Sequence, residues 1–174
     1  MKHIVSFTEA LLRRSSRHLW MLERELSAAD PRARMVAVRE LSTLSDPRVE
    51  TLLLRALGDE DGWIRQAAAQ HLGDGPSSVA ALCDALEDEW IRPFAARSLA
   101  RIGDASAVEP LLRALETPEK GAIPVVIEAL AALGDPRAIP GLVALAREGG
   151  PWIAEAADAA IEALGGAEVH RRAA

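Results

Sequence analysis

The sequence has few aromatic residues, a single cysteine and fewer basic than acidic side chains, and each shortage excludes a class of protein. Two residues of 174 are Phe, four are Trp and none is Tyr, whereas β-sandwiches and barrels are rich in aromatic and β-branched residues. Cys83 stands alone, which excludes a disulfide scaffold. The hydrophobic share of 49% is too high for a disordered chain.

The charge is negative overall but uneven along the chain. Twenty Lys and Arg face 26 Asp and Glu, a net charge of −6, which argues against general binding to nucleic acid or to anionic membranes. Residues 1–40 hold eight basic and five acidic side chains, whereas residues 41–174 hold twelve and 21. No segment resembles a signal peptide or reaches the roughly 18 apolar residues of a membrane span. We therefore expect a cytoplasmic protein.

What the chain has in excess is Ala and Leu, with 34 and 23 copies. Both residues are strong helix formers, so the composition indicates an all-α fold. A short motif also recurs, in which an apolar residue is followed by a small residue and then, in all but the last copy, by Asp. Its copies are Leu44-Ser45-Asp46, Leu72-Gly73-Asp74, Ile102-Gly103-Asp104, Leu133-Gly134-Asp135 and Leu164-Gly165-Gly166, at steps of 28, 30, 31 and 31 residues.

The motif predicts a helix end followed by a helix start. Gly tolerates the left-handed conformation that ends a helix, and the following Asp can accept free N–H groups of the next helix. Each unit is therefore a helical hairpin that cannot bury its own apolar stripe. Stacked hairpins bury it against each other, which predicts a solenoid.

Two segments carry a resemblance to a known family: IRPFAARSLARIGDASAVEPLLRAL (91–115) and IPVVIEALAALGDPRAIPGLVAL (123–145). They resemble HEAT repeats of the short type first associated with phycobilisome lyases. The resemblance implies a right-handed α-solenoid of about five hairpins, at residues 30–57, 58–86, 87–115, 116–146 and 147–166. It also implies a binding scaffold more often than an enzyme.

The two ends of the chain lie outside this pattern. Residues 1–29 are expected to contain a helix, about Thr8 to Ser27, whose apolar side covers the open end of the first repeat. Its apolar residues are Phe7, Leu11, Leu22 and Leu26. The arginines of this helix could also form a basic docking surface, and the two roles are compatible. Residues 167–174 are expected to be a tail.

Signatures of catalysis are scarce. The histidines, at positions 3, 18, 71 and 170, occur in no repeated context, and none is followed by Glu, as in the iron-holding pairs of HEAT-repeat deoxyhypusine hydroxylases. No nucleophile elbow, phosphate loop or paired-cysteine spacing is present, and Cys83 is expected to be a buried structural thiol. We expect no metal, no cofactor and no catalytic residue, and hence not an enzyme.

An Asp and an Arg stand four residues apart at the start of three repeats: Asp30 and Arg34, Asp61 and Arg65, and Asp88 and Arg92. This spacing places both side chains on one helix face, where they can pair. The pattern is similar to the ladder that connects successive HEAT repeats, so we interpret these residues as structural.

Aligning the repeats on these arginines places Trp63, Trp90 and Trp152 at one equivalent position, with Gly121 in the fourth repeat. The buried stripe of the same helices is predicted at Ile64 and Ala68 and its equivalents, so the neighbouring stripe faces outward. A row of exposed Trp beside Phe and Arg is typical of a binding surface. The alternative is that each ring seals the junction between repeats. The predicted partner-binding residues are Arg39, Trp63, Gln66, Gln70, Trp90, Phe94, Arg97, Arg101 and Trp152.

Three functions follow, in order of preference. The first is a non-catalytic scaffold, monomeric, which binds a peptide or protein segment of unknown identity in its groove. The second, implied by the resemblance, is an enzyme or chaperone that acts on a bound bilin. The third is a HEAT-like DNA-repair protein, which the acidic charge of residues 41–174 disfavours; we expect no nucleic-acid partner.

Overall fold

A computed structural model of the chain describes residues 16–117 and 120–166. Within these residues the regular structure is helical. The helices are α1, described over 16–25, α2 (Pro31–Leu41), α3 (Arg48–Ala56), α4 (Gly62–His71), α5 (Pro76–Asp84), α6 (Arg92–Ile102), α7 (Val108–Ala114), α8 (Ile123–Leu133), α9 (Ile139–Glu148) and α10 (Pro151–Ala163). Short 3-10 turns lie at Ala85–Glu87, Ala105–Ala107, Lys120–Ala122 and Pro136–Ala138.

The chain divides into two compact units, residues 1–71 and residues 72–174. The boundary falls inside the hairpin expected over 58–86, just before the segment GDGPSS, where the repeat is about three residues shorter than its neighbours. No helix in the described part of the chain is long and apolar enough to cross a membrane.

The first unit is built from α1 to α4. α2 packs against both α3 and α4, and α3 packs against α4. Leu19 and Leu22 of α1 and Leu26 in the turn after it are buried, at 3%, 4% and 7% exposure; the covering of the first repeat by this segment stays a prediction. Phe7 and Leu11 of the expected capping helix lie outside the described residues.

The second unit has two helical layers. α8 packs between α6 and α10 in one layer, and α5, α7 and α9 pack on α6, α8 and α10, respectively, in the other. The predicted core stripe is confirmed, since Ile91, Ala95 and Leu99 of α6 are at most 1% exposed. Burial of such side chains stabilises the layers by about 25 cal/mol for each Å² of apolar surface removed from water.

The Gly-Asp motif performs the predicted turn in the second unit. Gly103 and Gly134 have φ of 77° and 68°, the left-handed conformation that ends a helix without the steric cost of a Cβ. Asp104 and Asp135 then accept the backbone N–H groups of Ser106 at 2.8 Å and Arg137 at 2.9 Å.

The motif behaves differently at Gly73-Asp74. There the N-cap of α5 is Gly75, in an extended conformation, and Pro76 is the first helical residue. Proline fixes φ and needs no hydrogen-bond acceptor at this position, so the helix starts one residue later and Asp74 lies outside the cap.

Candidate functional site

Three aspartates anchor the backbone at the start of the helices that carry the Trp row. The carboxylates of Asp61 and Asp88 accept the backbone N–H groups of Trp63 at 2.8 Å and Trp90 at 3.0 Å. Asp30 does the same for the equivalent residue, Arg32, at 2.9 Å. Each Asp satisfies a free donor of the first helical turn, and two of them thereby position a tryptophan.

Arg34 pairs with a different acid from the one expected. Its guanidinium donates to both carboxylate oxygens of Asp59, at 2.8 and 2.9 Å, and to Glu60 at 3.2 Å, whereas the carboxylate of Asp30 caps α2. Arg34 is 5% exposed and also donates to the carbonyl of Ala28. The pair therefore joins the start of α2 to the loop after α3 and does not run along one helix.

Arg34 and Asp59 shift each other's pKa values. Hydrogen bonding to Asp59 raises the pKa of Arg34 above its ordinary value despite the burial of the guanidinium. Burial acts to raise the pKa of Asp59, but the hydrogen bonds from Arg34 and from the backbone of Asp61 outweigh it and hold that pKa below its ordinary value.

The equivalent arginines also donate to the backbone that precedes their helix. Nη1 of Arg65 donates to the carbonyls of Asp59 at 2.9 Å and Glu60 at 3.0 Å. Nε of Arg92, which is 3% exposed, donates to the carbonyl of Leu86 at 2.7 Å. Such charge-assisted bonds fix the junction before each helix.

The predicted binding residues of the first unit lie on α2 and α4. Trp63 is 60% exposed, Arg39 and Gln70 are exposed, and Gln66 is partly buried. In the second unit, Trp90 and Trp152 are 51% and 50% exposed. Phe94 is partly buried, while Arg97 and Arg101 are exposed.

The partners of the two arginines differ. Nη2 of Arg101 donates to the carbonyl of Leu72 at 2.7 Å. Arg97 forms no hydrogen bond or ion pair to any described residue.

In the second unit the row extends over three neighbouring helices, and we call this surface the α6/α8/α10 face. Residues at equivalent positions of the three helices line it at four levels, from the N-terminal to the C-terminal ends. They are Trp90, Gly121 and Trp152; Phe94, Val125 and Ala156; Arg97, Glu128 and Ala159; and Arg101, Ala132 and Ala163. The face is aromatic at one end and basic along α6, and over α8 and α10 it is apolar with small side chains except at Glu128.

Gly121 leaves a gap between the two tryptophans of this face. A Cβ placed on Gly121 would meet no atom within 4 Å, and α8 lies between α6 and α10. Neighbouring helices pack roughly 8–10 Å apart. The backbone positions of Trp90 and Trp152, which are two helices apart, are therefore separated by about 16–20 Å. Each keeps about half of its surface in solvent.

The arginines of the face stand out against an acidic background. Residues 72–174 contain nine basic and sixteen acidic side chains, a net charge of −7. Glu128 is the only charged residue of α8 and lies at the level of Arg97 on the neighbouring helix. The face therefore presents one positive edge, on α6, and one negative point at its centre.

A fourth exposed tryptophan was not part of the predicted site. Trp20 on α1 is 57% exposed, and the guanidinium carbon of Arg24 lies 5.9 Å from its ring centroid, within cation–π range. It borders a cleft of about 420 Å³ between α1 and α3, together with Arg48 and Thr51. The repeat alignment could not find Trp20 because α1 has no counterpart in the other hairpins.

Groups for metal binding or nucleophilic chemistry are few in the part of the chain that the structure describes. No cluster of three or more His, Cys, Asp or Glu there could hold a metal ion. Cys83 is only partly buried, and burial raises the pKa of its thiol, which disfavours the reactive thiolate.

Comparison with known proteins establishes the class of this chain. The family model of HEAT repeats matches residues 20–92 and 79–165, which together cover most of the sequence. The chain belongs to the HEAT-repeat family, and the all-α solenoid class expected from the sequence is confirmed.

Two curated relatives and one solved structure are more specific. The chain is 36% identical over 106 residues to phycocyanobilin lyase subunit alpha of Picosynechococcus sp., covering 51% of this chain and 40% of that protein. It is 39% identical over 123 residues to the bilin biosynthesis protein PecE of Mastigocladus laminosus, covering 64% of this chain and 45% of that protein. The chain thus spans less than half the length of these relatives.

A similar fold is found in the complex of CpcE and CpcF of phycocyanin lyase from Nostoc sp. PCC7120. The TM-score is 0.69 at 24% identity, over 87% of this chain and 66% of that one. At this identity the similarity is one of fold. It agrees with the resemblance to the phycobilisome lyase type of HEAT repeat.

These relatives overturn two expectations. A non-catalytic scaffold, and hence a protein that is not an enzyme, was preferred because the sequence lacks catalytic motifs. That preference was wrong, since the curated relatives are a lyase subunit and a bilin biosynthesis protein. The second hypothesis above, an enzyme or chaperone that acts on a bound bilin, is more consistent with these relatives than a scaffold is.

Proposed function

We propose that this protein is a subunit of a bilin lyase and that it binds a bilin on its α6/α8/α10 face. The observation that carries the proposal is the identity of 36% and 39% to two bilin proteins. A bilin is an open-chain tetrapyrrole, with a long planar conjugated system and two propionate groups. Its binding site needs flat apolar contacts and positive charge.

The α6/α8/α10 face supplies both kinds of contact. Trp90 and Trp152 are each about half exposed, and tryptophan is among the residue types most enriched at binding surfaces. Aromatic rings stack on conjugated ligands through offset contacts. One turn further along α8 and α10 lie Val125 and Ala156, whose small side chains permit close approach of a planar molecule.

A protein partner is supported by the similar structure, which is a complex of two proteins. We propose that Arg39, Trp63, Gln66 and Gln70 of the first unit contact that partner.

The proposal is tested by titrating the purified protein with phycocyanobilin and following visible absorbance. Binding is expected to shift and strengthen the long-wavelength band, because a site that immobilises the bilin favours an extended conjugated form. The triple variant Trp90→Ala, Phe94→Ala and Trp152→Ala should lose at least about 90% of this change, since stacking on aromatic rings is removed.

Trp20→Ala is the matched control, because Trp20 is equally exposed but lies on α1 in the first unit. It should bind bilin like the parent, and circular dichroism should show helical content unchanged in all variants. No spectral change with the parent protein, alone or with its copurifying partner, contradicts the proposal. Lyase activity itself is measured as bilin that stays on a cysteine-containing acceptor protein after denaturation.

A further inference from the structure

We infer that Gly121 and Arg97 are the specificity-determining residues of the α6/α8/α10 face. The bilin rings lie over Gly121 between Trp90 and Trp152, and the propionates are directed to Arg97 on the α6 edge. The inference rests on the proposed function and adds the orientation of the ligand and the residues that select it.

Gly121 matters for its missing side chain. It occupies the repeat position that holds Trp63, Trp90 and Trp152 in the other repeats, and a Cβ at Gly121 would meet no atom within 4 Å. Its φ lies outside the left-handed range that requires glycine. Backbone conformation therefore does not explain this glycine, whereas a flat ligand that needs room between two rings does.

Of the two described arginines on this face, Arg97 is the one available to a ligand. It is exposed and has no hydrogen-bonding or ionic partner among the described residues, whereas Arg101, one turn further along α6, donates to the carbonyl of Leu72. A free guanidinium binds a carboxylate in a bidentate manner. Because residues 72–174 carry a net charge of −7, an anion is repelled from most of this unit and attracted to this edge.

Glu128 sets the direction in which the bilin lies. It repels carboxylates from the centre of the face and accepts hydrogen bonds from N–H groups. Arg97 and Glu128 lie at the same level of two neighbouring helices, so Glu128 excludes the propionates from α8 and leaves Arg97 on α6 as the positive group that holds them.

The steric part is tested with Gly121→Trp, which fills the gap without backbone strain. Phycocyanobilin affinity, measured by absorbance titration, should fall at least about tenfold. Ala144→Trp adds the same bulk to an exposed position of α9, in the other helical layer, and should leave affinity unchanged. Matching melting curves show that both variants fold. An unchanged affinity in Gly121→Trp overturns the inference.

The electrostatic part is tested by comparing phycocyanobilin with its dimethyl ester on the parent and on Arg97→Gln. The parent should bind the free acid roughly five- to tenfold more tightly than the ester, a modest factor because Arg97 is exposed. Arg97→Gln should bind the two equally, and Arg113→Gln, an exposed arginine of α7, should keep the preference.

The two proposals fail in different ways. If the parent binds both compounds equally, or Arg97→Gln keeps the preference, the orientation is wrong while bilin binding stands. If the parent binds neither compound, the proposed function itself is wrong.

Discussion

At the scale of single residues, the protein shows why spacing in sequence does not identify an ion-pair partner. Asp30 and Arg34 stand four apart on one helix, but the carboxylate of Asp30 accepts the N–H of Arg32. Arg34 instead pairs with Asp59, which lies 25 positions further along the sequence. The type of residue at this site was predictable from the repeat, whereas its partner depends on how the loop after α3 folds back.

Removing Arg34 should destabilise the first unit, since Asp59 would stay largely buried without its partner. The Asp59 side chain is only 10% exposed, and breaking a buried pair costs far more than breaking an exposed one. We expect Arg34→Ala to lower the melting temperature by roughly 5–10 °C. Differential scanning calorimetry measures this directly.

Arg32→Ala is the control, because Arg32 is exposed on the same helix and should change the melting temperature by no more than about 2 °C. Adding Asp59→Asn to Arg34→Ala should recover part of the loss by removing the unpaired charge. Equal melting temperatures for Arg34→Ala and Arg32→Ala would contradict the structural role of the pair.

At the scale of helices and turns, the sequence predicted most of the second unit. The recurring Gly-Asp motif located the ends of α6 and α8, because a left-handed C-cap and an N-terminal acceptor are local features. The start of α5 was mispredicted at Asp74, since Pro76 imposes its own helix start. The division at residues 71 and 72 could not be predicted, because it depends on contacts between helices and no local signal marks it.

The two glycines that flank α8 distinguish the effect of backbone conformation from the effect of the space available to a side chain. Gly134, after the last turn, has φ of 68°, whereas Gly121, before the helix, lies outside the left-handed range, and an added Cβ meets no atom at either position. Gly134→Ala should destabilise the protein by about 1 kcal/mol. Gly121→Ala should be neutral or stabilise it by a few tenths of a kcal/mol, roughly, through the unfolded state.

Urea denaturation of the two alanine variants measures this difference. A similar loss of stability in both would show that Gly121 is also required for the fold, and its assignment to ligand binding would lose its main support.

The candidate site was predictable only in part. The repeat alignment gave the positions of Trp90 and Trp152, but their exposure and the open space at Gly121 depend on packing.

At the scale of the whole molecule, the absence of catalytic motifs led to the expectation of a non-catalytic scaffold, which the curated relatives contradict. Motifs such as a nucleophile elbow report chemistry that one local segment carries. A surface built from three repeats, such as the α6/α8/α10 face, has no local signature, because its equivalent positions are 31 residues apart in sequence. The absence of such a motif therefore excludes only enzymes whose chemistry is carried by one local segment. The fold alone does not specify function either.

The whole molecule should also be sensitive to acid, through the aspartates at its turns. Hydrogen bonds from the side chain and backbone of Arg48 lower the pKa of Asp46 from 3.8 to about 2. The pKa values of Asp104 and Asp135 are likewise lowered, by hydrogen bonds from Ser106 and Arg137, respectively.

A carboxyl group with a lowered pKa binds fewer protons in the folded than in the unfolded state. Its contribution to folding stability is therefore complete when the pH is above its pKa in the unfolded state, and it disappears as the pH falls through its pKa in the folded state. The melting temperature should therefore be nearly constant from pH 7 to about 5 and fall steeply between about pH 4 and 2. Asp46→Asn, whose side-chain oxygen can still accept the backbone N–H of Arg48 but which cannot ionise, should melt at a lower temperature at pH 7 and lose less on acidification. Parallel curves for the parent and this variant would assign the acid sensitivity to general charge repulsion and not to the turns.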